Sequence, residues 1–196
     1  MGEGWSDFMA AAVLTKPTDD RSKNFVVGSW LAGTEAGLRI RPYSTDLAVN
    51  ELRYEDTNNM NNSHKVGVVW GVALYDMLWN IIEKHPVTDQ EYPEFDSRGV
   101  PTDGRYLAMK LVIGGLSLQP CTASMIDGRD SILDADIALT GGENQREIWT
   151  AFAKRGLGQG AKHTAFKNEN GEGVPLENSD AGGGGNHSAN STKQSG

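Results

Sequence analysis

Residues 65–84, KVGVVWGVALYDMLWNIIEK, constrain the fold more than any other part of this chain. Their apolar side chains recur at helical spacing and cover most of the circumference of an α-helix. Such a helix is stable in water only when other parts of the protein surround it, because exposed apolar surface costs free energy. We therefore predict a central buried helix that ends at His85 and Pro86, since proline cannot continue a helix.

Further segments have the composition of helices that pack around such a centre. They are residues 3–15, 106–118, 124–139 and 143–155. Thr122 or Ser124 can cap the third segment, and Gly156 can end the fourth. Residues 26–46 contain three glycines and a proline, so we interpret them mainly as loop with one short helix. The sequence thus predicts a mainly α fold, a helical bundle with loop-rich connections and few, if any, strands.

The composition changes near residue 165. Residues 165–196 are rich in glycine, asparagine and serine, and they contain almost no aliphatic side chains. Such a segment cannot bury enough apolar surface to offset the entropy lost on folding. We therefore predict a folded domain over residues 1–164 and a disordered tail over residues 165–196.

Composition and charge exclude several functional classes. The chain has 196 residues, of which 38% are hydrophobic, and a net charge of −8. Because no cluster of Lys or Arg can neutralise phosphates, we expect neither nucleic acid nor an anionic membrane as a partner. No apolar run approaches the roughly 20 residues of a membrane span, and no signal peptide is expected. The single cysteine, Cys121, is expected to be a buried thiol or one half of a lost disulfide.

Several polar residues near the apolar segments are candidate functional residues. Glu3 and Asp7 are four residues apart and share one helix face, with roughly 6 Å between their Cβ atoms. Acids in a first helical turn also complement the helix dipole, which needs no function. His64 directly precedes the buried helix, where a histidine is usually a loop or capping residue. Arg39 and Arg41 lie in a glycine-rich loop, where both could be surface charges.

Six blocks of sequence point to a more specific function: GEGWSDF, PYSTD, VPTDGRYLAMKLV, ILDAD, LTGGEN and IWTAFAKRGLG. Together they resemble the fungalysin family of secreted fungal zinc endopeptidases, which are thermolysin-like gluzincins, over about residues 1–162. Proteases of that family have a mixed N-terminal half ending in an HExxH helix and a mostly helical C-terminal half. The resemblance implies that this chain is the helical C-terminal subdomain of such a peptidase.

The resemblance also implies a role for each candidate residue. Glu3 matches the third protein ligand of zinc, and Asp7 matches the acid that fixes a ligating histidine through its other ring nitrogen. His64 matches the histidine that stabilises the oxyanion formed during hydrolysis. Arg39 is the candidate for binding the substrate carbonyl, with Arg41 as the alternative. The implied reaction is zinc-assisted peptide hydrolysis with a glutamate as general base.

The sequence departs from the family at the HExxH motif. None is present, because His64, His85, His163 and His187 all lack the required spacing. The two imidazole ligands and the general base are therefore expected from a missing N-terminal half, an implied partner in addition to protein or peptide substrates. Since a catalytic zinc site needs three protein ligands, we expect the chain by itself to be inactive. The family is extracellular, so the resemblance implies secretion.

Other expectations concern single residues and an alternative function. Family members tend to carry a cysteine where this chain has Arg146, so the disulfide implied for Cys121 is expected to be missing. Met1, directly before GEGW, leaves three alternatives: an internal methionine taken as a start, a gene remnant, or a chain that is one piece of a larger protein. The competing hypothesis is a non-catalytic helical remnant or interaction module with negligible zinc binding. Four acids are expected to form a solvated helix face rather than a calcium site: Asp127, Asp130, Asp134 and Asp136.

Overall fold

The predicted central helix is the longest element of the fold. In the computed structural model it spans Ser63–Lys84 and is labelled α3. Asn62 caps its start, because the side-chain oxygen accepts hydrogen bonds from the backbone N–H groups of His64 and Lys65. The helix ends at His85, whose backbone leaves the helical conformation. The prediction of a central helix closed at this residue is confirmed.

The other helices follow the predicted segments within a few residues. The structure describes residues 1–162 and the backbone of residues 166–167 and 173–174. The chain divides into two compact units, Met1–Thr164 and Ala165–Gly196. The remaining helices of the first unit are α1 Gly2–Leu14, α2 Ser29–Ala32, a 3₁₀ helix Tyr54–Asn59, α4 Gly104–Leu118, α5 Met125–Thr140 and α6 Gln145–Lys154. The fold is mainly α, as the sequence predicts. Among the described helices, only the 3₁₀ helix is unexpected.

The second unit contains two short strands. β1 Phe166–Lys167 and β2 Gly173–Val174 pair in antiparallel orientation, with the first residue of β1 opposite the last of β2. Both strands lie in the region for which the sequence predicts a disordered tail. The rest of that prediction falls outside the described residues.

Helix α3 owes its burial mainly to three other α-helices, and the 3₁₀ helix also packs on it. Helices α1, α4 and α6 pack on it directly, and α5 packs on α4. By length and composition α3 is also apolar enough to cross a membrane, so the expectation that no run approaches that length is wrong. In the fold, 83% of its most apolar 18-residue window is buried inside the protein. Core helices pass the same test as membrane spans, because both environments favour apolar side chains.

Helices α1 and α3 cross at glycines, and this crossing brings their first turns together. A Cβ atom on Gly4 would lie 2.3 Å from the carbonyl oxygen of Gly67, and one on Gly67 would lie 2.6 Å from Cβ of Glu3. The two backbones can therefore touch only because both side chains are hydrogen atoms. Beside the crossing, Trp5 packs edge-on against Trp70 with ring centroids 4.9 Å apart. Residues in the first turns of both helices are consequently neighbours.

A buried ion pair holds the loop between α2 and α3. Arg155 is fully buried, and its Nε lies 2.6 Å from Oδ2 of Asp76 in α3. The other guanidinium nitrogens donate to the backbone carbonyl oxygens of Ser44, Asn50 and Leu52 at 2.6–3.1 Å. One cation thus satisfies three buried loop carbonyls, and the loop is tied to α3 and α6 at that point.

Two expectations about individual residues are wrong. Cys121 is exposed, so the buried-thiol alternative does not hold. Asp136 is fully buried and does not belong to a solvated helix face. Its carboxylate accepts hydrogen bonds from Thr140, Asn144 and Gln145 at 2.7–3.1 Å. Asp136 therefore organises the turn between α5 and α6, because these donors all lie in or beside that turn.

Candidate active site

Four residues predicted from the sequence form one cluster at the N-terminal ends of α1 and α3. Glu3 and Asp7 lie one turn apart on α1, and His64 lies in the first turn of α3. Arg39 belongs to the loop that follows α2, and its guanidinium contacts the side chains of the other three. Side chains from three separate segments thus meet, although nothing in their sequence spacing requires it.

The guanidinium of Arg39 is the centre of this cluster. Its Nε lies 2.6 Å from Oδ2 of Asp7, and its Nη2 lies 2.9 Å from Oδ1 of the same carboxylate. This bidentate geometry is the strong, orientation-specific form of an ion pair. Nη2 also donates to Oε2 of Glu3 at 2.8 Å. Only 12% of the Arg39 side chain and 7% of the Asp7 side chain are exposed, so water screens this pair weakly.

His64 lies at the exposed rim of the cluster. Its Nδ1 is 3.2 Å from Nη1 of Arg39 and 3.2 Å from Oε2 of Glu3. At this nitrogen, a neutral imidazole can accept a hydrogen bond from Arg39, and a protonated imidazole can donate a hydrogen bond to the Glu3 carboxylate. The His64 side chain is 60% exposed, against 37% for Glu3, so a ligand can reach both from solvent.

The pairing of charges shifts two pKa values in opposite directions. Hydrogen bonds from Arg39 and then from His64 lower the pKa of Glu3 below its ordinary value. The hydrogen bond that Arg39 donates to Asp7 raises the pKa of Arg39, so the guanidinium stays charged wherever the protein is folded. Glu3 is therefore a carboxylate at neutral pH, which is the form that can bind a cation.

Tyr43 is a fifth member of the cluster that the sequence reasoning missed. Its hydroxyl donates to Oδ2 of Asp7 at 2.7 Å, and the residue is only 1% exposed. Burial, and then the hydrogen bond to Asp7, raise the pKa of the Tyr43 hydroxyl, which therefore remains a proton donor. The PYSTD block contains this tyrosine, but a tyrosine in a loop carries no spacing signal that predicts its partner.

The structure separates Arg39, the first candidate for binding the substrate carbonyl, from its alternative, Arg41. Arg41 pairs with Glu51, with 2.7 Å between Nη2 and Oε1, and both side chains are about half exposed. Arg39, and not Arg41, lies beside Glu3. Among the other histidines, His85 lies at the far end of α3 with its Nε2 3.0 Å from Oδ1 of Asn144. His163 and His187 lie outside the described residues.

The residues present fit one part of the zinc site that the family resemblance implies. Oε1 of Glu3 has no hydrogen-bond partner among the described residues, so this oxygen can serve as a metal ligand. A carboxylate has about four acceptor positions, and Asp7 uses three of them within the described part of the chain. The fourth acceptor position, on Oδ1, can accept a hydrogen bond from the N–H group of a histidine ring.

The described residues do not form a complete metal site. In the part of the chain that the structure describes, no group of three or more His, Cys, Asp or Glu is arranged to hold a metal ion. A catalytic zinc site uses three protein ligands. The cluster therefore fits a set of one ligand and its supporting residues, to which other ligands must be added.

Comparison with known proteins identifies the family. The chain matches the fungalysin metallopeptidase (M36) family over residues 1–161. Extracellular metalloproteinases of Fusarium vanettenii and Aspergillus fumigatus are each 56% identical to it over 165 residues, which cover 84% of this chain and 26% of each relative. One from Aspergillus flavus is 51% identical over 177 residues, covering 90% and 28%. The chain thus spans about a quarter of the length of these relatives. It belongs to the fungalysin (M36) metallopeptidase family.

Proposed function

We propose that this chain is the helical portion of a zinc-dependent metalloendopeptidase and supplies Glu3, Asp7, Arg39 and His64 to its active site. One observation carries the proposal: the residues that the family motifs assign to one site meet in one cluster, with contacts of 2.6–3.2 Å. The relatives are named extracellular metalloproteinases, which supports protein substrates and secretion.

Each side chain has a role that its geometry supports. Zinc, when bound, supplies a Lewis acid and an acidified water for attack on a peptide bond. Glu3 would hold the metal through Oε1. Asp7 would accept a hydrogen bond from the ring N–H of a ligating histidine and so fix that ring. In both carboxylates, the acceptor positions assigned to these roles have no hydrogen-bond partner among the described residues.

Arg39 and His64 would act on the substrate. Arg39 has five N–H donors, and four contacts to described residues leave one hydrogen on Nη1 for a peptide carbonyl. His64, exposed at the rim, would donate a hydrogen bond to the carbonyl oxygen on which negative charge develops. A preorganised donor of this kind stabilises the transition state more than the ground state.

The two histidine ligands and the general base would come from outside this chain. No HExxH occurs in the 196 residues. One carboxylate does not hold zinc against water, so we propose that the chain by itself hydrolyses no peptides. The alternative is a non-catalytic helical module, which has the same fold and differs only in that no zinc is held at Glu3.

A chimaera distinguishes the two functions. The HExxH-bearing portion that the family resemblance implies for the Aspergillus fumigatus relative would be joined to residue 1, and bound zinc measured by mass spectrometry after dialysis. We expect one zinc per chain and hydrolysis of a fluorogenic peptide. Zinc-free protein that is nevertheless folded would reject the peptidase and favour the non-catalytic module.

Substitutions in the chimaera test the individual roles. Glu3→Gln should weaken zinc binding by more than about 100-fold, since even the outer partners of metal ligands are worth about 10–100-fold. Glu51→Gln is the matched control, because this glutamate pairs with Arg41 on the surface and should leave zinc affinity unchanged. His64→Gln should retain zinc and lower kcat about 100- to 1,000-fold. Unchanged zinc content in Glu3→Gln would remove Glu3 from the ligands.

A further inference from the structure

The hydroxyl of Tyr43 is a buried donor whose partner is Asp7 of the candidate site. It lies 2.7 Å from Oδ2 of Asp7, and the same oxygen accepts from Nε of Arg39 at 2.6 Å. Two donors from different directions therefore converge on one carboxylate oxygen. The bidentate contact fixes the carboxylate relative to the Arg39 guanidinium, but the terminal torsion of an aspartate is broad, so the ion pair could still turn as a unit. The Tyr43 hydroxyl adds a donor from the core and so fixes the carboxylate relative to the core.

Tyr43 itself is held rigidly. Its backbone exchanges two hydrogen bonds with Phe25, at 2.8 and 2.9 Å, and the two rings stack with centroids 6.4 Å apart. The ring lies directly against α3, since a Cβ atom on Gly71 would be 2.7 Å from Cε1 of Tyr43. The carbonyl of the next residue, Ser44, accepts a hydrogen bond from the buried Arg155. The hydroxyl is thus a fixed point of the core.

Arg39 has less backbone support of its own. Its loop, which follows α2, has positive φ at Gly33 and Gly37, and no regular element carries the arginine. Its side chain is held through the bidentate contact with Asp7. The order of contacts from the core to the rim is therefore Tyr43, Asp7, Arg39 and Glu3.

We propose that Tyr43 is a positioning residue of this site: through Asp7 it fixes Arg39, and through Arg39 it fixes Glu3. The proposal rests on the proposed peptidase function for its catalytic meaning, but the positioning itself can be measured without zinc or substrate. The Tyr43 hydroxyl donates to Asp7 and also lies close enough to the Arg39 guanidinium to interact with it, while Asp7 is the partner that it shares with Arg39.

Tyr43→Phe tests the proposal in the full 196-residue chain. Phenylalanine keeps the ring and its contacts with Gly71, so the variant folds and loses only the hydroxyl. The readout is hydrogen exchange of the Arg39 Nε–H, followed by ¹H–¹⁵N NMR and assigned with Arg39→Lys. We expect exchange about 10-fold faster or more, as for the loss of one charge-assisted hydrogen bond.

Tyr75→Phe is the matched control. Tyr75 is also buried, 2% exposed, and its hydroxyl donates to the backbone carbonyl of Lys23 at 2.8 Å, away from Asp7. It loses a buried hydroxyl that donates to a neutral carbonyl, and it should leave Arg39 exchange within about twofold of wild type. An unchanged rate in Tyr43→Phe, or equal acceleration in both variants, overturns the proposal.

Zinc affinity in the chimaera separates this proposal from the proposed function. Tyr43→Phe should weaken zinc binding by up to about 10-fold, the lower end of the cost of losing an outer partner of a metal ligand, because Tyr43 acts on the ligands through Asp7. If the wild-type chimaera binds no zinc but Tyr43→Phe still accelerates Arg39 exchange, the peptidase function fails and the positioning role stands. If the chimaera binds zinc and neither Arg39 exchange nor zinc affinity responds to Tyr43→Phe, the positioning role fails and the peptidase function stands.

Discussion

The Gly67→Ala substitution tests the glycine crossing on which the candidate site depends. In the structure a Cβ atom at this position would lie 2.6 Å from Cβ of Glu3 and 3.1 Å from the backbone nitrogen of Gly4. Carbon atoms in contact prefer about 3.5–4.0 Å, so α1 and α3 must move apart by about 1 Å. The atoms that must move belong to a helix backbone and cannot simply rotate away.

Two effects of opposite sign decide the stability of this variant. Alanine is favoured over glycine inside a helix by about 1 kcal/mol. An extra methyl group in a well-packed contact costs about 1–3 kcal/mol. Because the clash is with backbone and Cβ atoms, we expect the upper part of that range and a net loss of about 1–2 kcal/mol in the free energy of unfolding. For a chain of this size, that lowers Tm by about 2–8 °C.

Thermal unfolding followed by circular dichroism measures the effect. Gly2→Ala is the control, since Gly2 belongs to α1 and no atom lies within 4 Å of its Cβ position. This variant should melt at or slightly above the wild-type temperature. In the chimaera, Gly67→Ala should also reduce peptide hydrolysis about 100-fold, as displacement by about 1 Å commonly does. A Tm for Gly67→Ala at or above wild type would refute the reasoning, because helix propensity would then outweigh the contact.

Three further substitutions test the buried polar contacts. Arg155→Met leaves Asp76 with less compensating charge and should lower the free energy of unfolding by about 3–5 kcal/mol, measured by urea titration. Burial alone would raise the pKa of Asp103, but hydrogen bonds, first of all those from Arg105, lower it by more than burial raises it. The net shift of the Asp103 pKa is therefore downward. Its extra stability is therefore present above about pH 4 and lost as pH falls through the folded pKa; Asp103→Asn should flatten that loss in urea titrations between pH 5 and 2.5. Ser124→Ala removes a helix cap and should cost about 1 kcal/mol, seen as a lower Tm.

Local chemistry explains which parts of the fold were predictable. The apolar periodicity of residues 65–84 predicts α3, and the cap at Ser124 predicts the start of α5, where its hydroxyl accepts from the backbone N–H of Asp127. Gly141 and Gly156 end two helices with positive φ, as glycines past a helix end commonly do. These signals act within one or two turns, so a single sequence contains them in full.

The candidate site was predictable only through family motifs. From spacing alone, Glu3 and Asp7 could have been ordinary acids of a first helical turn, and Arg39 and Arg41 were indistinguishable. Their roles remain predictions, but the structure shows which side chains meet. Arg39 joins the two acids and Arg41 pairs with Glu51 on the surface, a difference of two residues in one loop. No periodicity operates in such a loop, so its path follows from distant contacts.

The sequence by itself determined the five long helices, a choice of two caps for α5, the mainly α class and the family, because each depends on residues close together in the chain or on motifs that can be read directly. Tertiary structure alone decided that Gly67 admits Glu3 beside His64, that Tyr43 donates to Asp7, and that Asp136 is buried. The physical reason is that contacts between distant residues depend on how helices cross and where loops are anchored. Those depend on the packing of the whole core around α3, which no short stretch of sequence encodes.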